Sequence, residues 1–275
     1  MEPVSISEKL LYTTVRIQHE DSCGTGFFFN FKTDKEEEMI PVLITNKHVL
    51  KNKKQGVVTF TVHIKNEAGE ELNHTFNYDT GWIHHPIHDL CCCIVAPIHN
   101  FLIDKKINLF NVAFQEDNIW TKEKLQELSA IEDVVMIGYP NGLFDSHNNL
   151  PIIRKGITAS HPVIDFKNKD AKMNLPGIGV IDMACFPGSS GSPICILNEG
   201  IYSMKSGGAY AGSRVIFIGV LFSGPLMNVE GKIVVKNIPT RAVPISQTSV
   251  MMNLGYYIKA EAILDFKQLL SATLK

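Results

Sequence analysis

Phe186-Pro187-Gly188-Ser189-Ser190-Gly191-Ser192-Pro193 separates two apolar, strand-like runs, residues 177–184 before it and 193–197 after it. A serine held there sits on a tight turn. Glycines on both sides let the backbone reach φ/ψ values that a residue with a Cβ resists, so the N–H groups of Gly188 and Ser190 can converge on one point. Backbone donors aimed at a developing oxyanion are worth about 3 to 4 kcal/mol each. Gly188, Ser189 and Ser190 are therefore the candidate oxyanion-binding turn, and Ser190 the candidate nucleophile. The same residue types also build an ordinary reversal between strands, and the octapeptide alone leaves both readings open.

Outward from the turn, most of the chain consists of short β-branched and aromatic runs broken by Gly, Pro, Asn and Asp, the pattern of an all-β protein. Strands are expected at 11–18, 26–31, 40–45, 57–65, 73–78 and 89–96, then at 134–139, 152–159, 177–184, 193–197, 215–222 and 232–236. Six plus six predicts two six-stranded antiparallel β-barrels in one domain spanning 1–275. The first barrel is expected at about 10–113 and the second at about 133–258. Residues 114–132, helix-prone around 121–128, form the connection. Ile263, Phe266 and Leu270 recur at i, i+3 and i+7, which predicts a C-terminal amphipathic helix over about 259–273.

Composition removes several functions. The 275 residues carry 26 basic and 28 acidic side chains, so no broad positive field favours a nucleic-acid backbone. No apolar run approaches the roughly 18 residues of a membrane-spanning helix. The start, Met-Glu-Pro-Val-Ser-Ile-Ser-Glu-Lys, lacks the basic and then apolar pattern of an export signal, so a cytoplasmic location is expected. Six cysteines occur, three of them consecutive at 91 to 93, with no CxxC pair. In a reducing compartment these read as small buried hydrophobes.

A serine hydroxyl needs a base, and the base needs an orienting partner. Leu43-Ile44-Thr45-Asn46-Lys47-His48-Val49-Leu50 puts one of ten histidines at the end of an apolar strand, just before polar Lys51-Asn52-Lys53. His84-His85-Pro86-Ile87-His88-Asp89-Leu90 then sets a carboxylate at the mouth of an apolar run, where it is costly unless hydrogen bonds reach it. An imidazole N–H suits it. A metal site built on His84, His85 and His88 is the competing reading. Against it stand the proline and the lack of the glutamate of an HExxH helix, and no metal or cofactor is expected.

Together these pieces resemble the chymotrypsin-fold, or trypsin-like, serine peptidases over most of the chain. The resemblance rests on Gly24-Thr25-Gly26-Phe27-Phe28, Thr45-Asn46-Lys47-His48-Val49, Asp89-Leu90 and Gly188-Ser189-Ser190-Gly191-Ser192-Pro193, in the order His, Asp, Ser. It implies two β-barrels of chymotrypsin type and a triad of His48, Asp89 and Ser190 that cuts peptide bonds through an acyl-enzyme. The motif around Ser190 looks more like HtrA-type and other bacterial trypsin-like peptidases than like digestive trypsin. Ser189 stands where digestive enzymes carry the aspartate that pairs with a newly cut N-terminus, so that mode of activation is not expected. Ala184 stands where trypsin has its pocket acid. A substrate pocket of Ala184, Cys185, Phe222, Ser223 and Gly224, favouring apolar small to medium residues before the cut, follows from the resemblance. The segment Gly138-Tyr139-Pro140-Asn141-Gly142 is either a structural turn or a lid beside the cleft. Only some 25 residues follow Val250, too few for the PDZ domain of HtrA proteins, so the expected partners are a protein or peptide substrate and any regulator as a separate chain. A silent peptide-binding relative and an esterase on the same fold are the alternatives.

Overall fold

Successive strand residues point to opposite faces, and the run Phe27-Phe28-Phe29 shows what this does to the core. Phe28 packs with Val15, Ile17, Leu43, Phe60 and Trp82 on one side of a curled sheet. Phe27, Phe29 and Phe31 turn the other way and meet residues of the second half of the chain, among them Ile137, Phe217 and Val220. Phe217 stacks on Phe114 with ring centroids 4.9 Å apart and takes the edge of Phe27 at 5.4 Å. The computed structural model describes residues 3–35, 38–168, 175–232 and 245–273.

A helix α1 (Ile6–Leu10), closed by a reciprocal box between Ser5 and Glu8, leads into β1 (Thr14–His19), β2 (Ser22–Lys32), β3 (Met39–Thr45), β4 (Gln55–Lys65), β5 (Glu71–Gly81), β6 (Ile83–His84) and β7 (Cys91–Ile94). Helix α2 (Ala96–Asp104) and the short strands β8 (Asn108–Phe110) and β9 (Phe114–Gln115) follow. These strands make one nine-stranded sheet in the order β5-β4-β1-β2-β3-β7-β6, with β8 added on β4 and β9 on β2. After the one-turn helix α3 (Lys122–Leu125) come β10 (Asp133–Gly138), β11 (Ile152–Thr158), β12 (Ile178–Asp182), β13 (Pro193–Asn198), β14 (Ile201–Ser203), β15 (Ala209–Ala211), β16 (Arg214–Ser223), β17 (Leu226–Lys232), β18 (Ile245–Met251), β19 (Leu254–Lys259) and helix α4 (Glu261–Thr273). Six of them close a barrel, β10-β11-β12-β19-β16-β13, filled by Val134, Met136, Ile181, Ile194, Ile196, Ile216 and Tyr257. β14–β15 and β17–β18 form separate two-stranded antiparallel sheets.

Two β layers of chymotrypsin type are thus present, and Ile263, Phe266 and Leu270 of α4 are fully buried as their spacing predicts. Three details differ from the sequence expectation. The first half is a curled nine-stranded sheet whose hydrogen bonds do not run round into a six-stranded ring. The run from Asp89 shortens to β7, because Ala96 and Pro97 start α2, a proline being well placed in a first helical turn. The sixth barrel strand is β19 and not the stretch from Lys232, which ends β17; residues 233–236 lie outside the described residues. Gly255 disguises β19, since glycine is poor strand material, yet only glycine fits: a Cβ there would meet Cys185 Sγ at 2.5 Å.

Candidate active site

Strand β3 delivers the histidine. It ends at Thr45, and a 3-10 turn, Lys47–Leu50, carries His48 out of the sheet while Val49 and Leu50 stay buried beneath it. Asp89 comes from the loop before β7. Its Oδ2 lies 2.5 Å from His48 Nδ1, its Oδ1 accepts the His48 backbone N–H at 3.2 Å, and its own carbonyl accepts from Asn46 Nδ2 at 2.7 Å. The carboxylate thus grips both the ring and the backbone of His48, which fixes the ring with Nδ1 toward Asp89 and Nε2 away from it. The imidazole is 43% exposed, open to a substrate.

The loop that carries Asp89 is itself held. His85 Nδ1 accepts the backbone N–H groups of Ile87 and His88, and its Nε2 faces Asp265 Oδ2 of α4 at 3.1 Å. Burial pushes the His85 ring toward its neutral form, with Asp265 opposing. Both ring nitrogens being engaged, His85 has no lone pair free for a metal. His84 Nε2 lies 3.1 Å from Lys53 O.

Ser190 sits at the junction of the two halves. The Thr25 N–H donates to Ser190 O at 2.8 Å and the Thr25 hydroxyl to Gly188 O at 3.0 Å, while the Ser192 hydroxyl donates back to Thr25 Oγ1 at 3.2 Å. Asn141 N–H donates to Pro187 O at 2.6 Å. Gly188 and Gly191 take φ of +84° and +87°, and a Cβ on Gly191 would come within 2.0 Å of Thr25 O. Only glycine allows that approach. Thr45, three residues before His48, donates its hydroxyl to the same Thr25 O at 2.7 Å, which ties the His48 strand to the Ser190 turn. No hydrogen bond joins the Ser190 hydroxyl to His48 among the described residues.

Within the turn, the N–H groups of Gly188 and Ser190 have no acceptor in the protein among the described residues, whereas Ser189 N–H donates to Phe186 O at 3.0 Å. Ser189, placed with the oxyanion donors on sequence, therefore has no free N–H to offer. Its hydroxyl is buried and unpartnered.

Ser190 lines a cavity of about 210 Å³ together with Cys185, Phe186, Pro187, residues 221–224 and Met251. Of the expected pocket residues, Cys185, Phe222, Ser223 and Gly224 line it and Ala184 does not. Burial pushes the Cys185 thiol up to about 11, so this wall is uncharged near neutral pH. A larger cavity, about 740 Å³, lies against His88, Asp165 and Lys259 and contains none of the expected site residues.

Sequence reasoning passed over Thr25, Asn46 and Asn141. Thr25 belongs to the Gly24–Phe28 motif, but the partners of its hydroxyl are more than 100 residues away in the chain and nothing local reveals them. Residues 139–142 pack directly on the Ser190 turn, since a Cβ on Gly188 would meet Tyr139 O at 2.5 Å. The following loop is pinned to the first sheet, with Asn149 Nδ2 on Thr61 O and Asn149 O on His63 Nε2.

The family model of the trypsin-like peptidase domain matches residues 24–200, and the chain belongs to that family. No curated protein matches it. Among solved structures, an inactive form of Rv3671c from M. tuberculosis H37Rv is 14% identical with a TM-score of 0.46, covering 98% of this chain and 91% of that one. The HtrA-type protease AlgW with a decapeptide is 14% identical with a TM-score of 0.48, over 99% of this chain and 68% of its own. A scabies mite inactivated protease paralogue is 11% identical with a TM-score of 0.47, over 94% and 95%. None of the three is alike enough to bear on the chemistry.

Proposed function

We propose that this protein is a serine endopeptidase in which Ser190, His48 and Asp89 act as one unit. The observation that carries this reading is the double grip of Asp89 on His48, on a strand that Thr45 and Thr25 tie to the Ser190 turn. Ser190 Oγ attacks the scissile carbonyl as its proton passes to His48 Nε2. The oxyanion formed is met by the free N–H groups of Gly188 and Ser190. His48 then gives the proton to the leaving amine, and the acyl-enzyme is hydrolysed by water through the same steps. The Ser190–His48 hydrogen bond must form for this, and catalytic hydrogen bonds often tighten only in the Michaelis complex. The neutral wall of Cys185 with Phe222 and Met251 favours an apolar residue of small to medium size before the cut, since a lysine or arginine would be left without a counter-charge.

Fluorophosphonate labelling tests the reading directly. The wild-type protein should be labelled at Ser190 and Ser190→Ala should not. Replacement of Ser190 or His48 should remove peptidase rate by roughly 10⁶-fold, as is typical of such triads. Asp89→Asn should cost about 10⁴-fold with the fold intact. A protein that binds extended peptides but takes no label would instead be a catalytically silent binding module. Comparing ester with peptide substrates separates the esterase reading.

A further inference from the structure

Of the four arginines in the sequence, Arg16, Arg154 and Arg214 are described, and they divide sharply. Arg214 is satisfied: Nη2 donates to Glu132 Oε2 at 3.1 Å and Nε to Asn198 Oδ1 at 2.6 Å. Arg16 and Arg154 have no carboxylate and no hydrogen-bond acceptor among the described residues, and in both the Nε is buried and unpartnered. Each is held by an aromatic ring instead. The Arg16 Cζ stands 5.4 Å from the Phe144 centroid, and the Arg154 Cζ 4.9 Å from that of Phe186. Stacking of this kind positions a guanidinium while leaving its edge donors unused.

Both sit beside the Ser190 turn. Phe186, under Arg154, lines the cavity with Ser190, and the Arg154 charge is felt by the Cys185 thiol in the same wall. Gly142 packs against Gly188 and also against Arg16, whose Nε and Nη2 lie 3.7 Å from where a Gly142 Cβ would be. A positive charge with buried, unpaired N–H is costly, and a planar fork of donors is matched best by a carboxylate. Two such forks, one reached from the turn through Phe186 and the other through Gly142, suit carboxylates of a peptide bound at the turn.

We propose that the substrate is an acidic peptide segment, with Arg154 and Arg16 taking Asp or Glu side chains that flank the apolar residue at the cut. This rests on the peptidase reading. It assigns the two arginines as determinants of specificity, apart from the reacting atoms.

The test uses matched peptides that differ only in Glu against Gln at the flanking positions. The wild-type protein should cleave the Glu peptide with a kcat/KM about tenfold higher. That ratio should fall toward one in the Arg16→Gln, Arg154→Gln double variant, be partly kept in Arg16→Lys, and shrink as salt rises from 0.05 to 0.5 M. Equal cleavage of both peptides by the wild type, or a ratio unchanged in the double variant, overturns the proposal. Fluorescence anisotropy of the labelled Glu and Gln peptides on Ser190→Ala reads the same preference without turnover. Absence of fluorophosphonate labelling would sink the peptidase reading, whereas equal affinity of the two peptides would sink this one.

Discussion

At the residue scale, one threonine holds the Ser190 turn to the first sheet. Thr25 bonds Gly188 O through its hydroxyl and Ser190 O through its N–H, with Tyr139 N–H donating to Thr25 Oγ1 at 3.3 Å. Thr25→Val keeps the shape but leaves Tyr139 N–H and Gly188 O without that partner. The expected cost is about 1 to 3 kcal/mol in stability, measured by urea unfolding, with a fall in kcat larger than any change in KM as the oxyanion donors lose their alignment. The His48–Asp89 pair and the Ser190 turn stood out in the sequence as candidates because each sets a polar residue at a strand end or tight turn beside an apolar run. Thr25 did not, because a buried threonine in a strand reads as β-propensity and its hydroxyl acts through partners more than 100 residues away.

At the element scale, α4 reaches the site through the loop that carries Asp89. Phe266 is fully buried and lies 5.6 Å from the His85 ring, and Asp265 holds His85 Nε2. Phe266→Ala should destabilise the protein by about 3 to 5 kcal/mol, whereas Leu264→Ala, on the outer side of the same helix, should stay within about 0.5 kcal/mol; chemical denaturation checks both. The apolar face of α4 was readable from its period, because a helix must repeat every 3.6 residues whatever it packs against. What it packs against was not readable. The same holds for β19, where a glycine chosen to clear Cys185 erases the strand signal, and for α2, whose start cuts short an apolar run that reads as strand.

For the whole molecule, burial sets how stability follows pH. His63, His85, His88 and His99 are all pushed toward the neutral form, desolvation being the first cause in each. The unfolded chain takes up protons on these rings near the ordinary histidine value of about 6.5, and the folded chain only below it. The unfolded state then binds more protons, so stability should fall as pH drops below about 6.5 and change little from these groups above it. Melting temperatures from pH 8 to pH 5 should decline mainly in the lower half of that range; a flat profile there would contradict the burial of these rings. The sequence alone determined the alternation that makes strands, the glycines that permit the Ser190 turn, the stripe that buries α4, and the charge balance that disfavours nucleic acid. These are local, because φ/ψ sterics and side-chain period act over a few residues. Only the tertiary structure decided that the first sheet stays open while the second closes, that Thr25 binds the two halves, and that Arg16 and Arg154 are left without acids. Those outcomes depend on which distant residues share one surface, and short-range preferences carry no information about that.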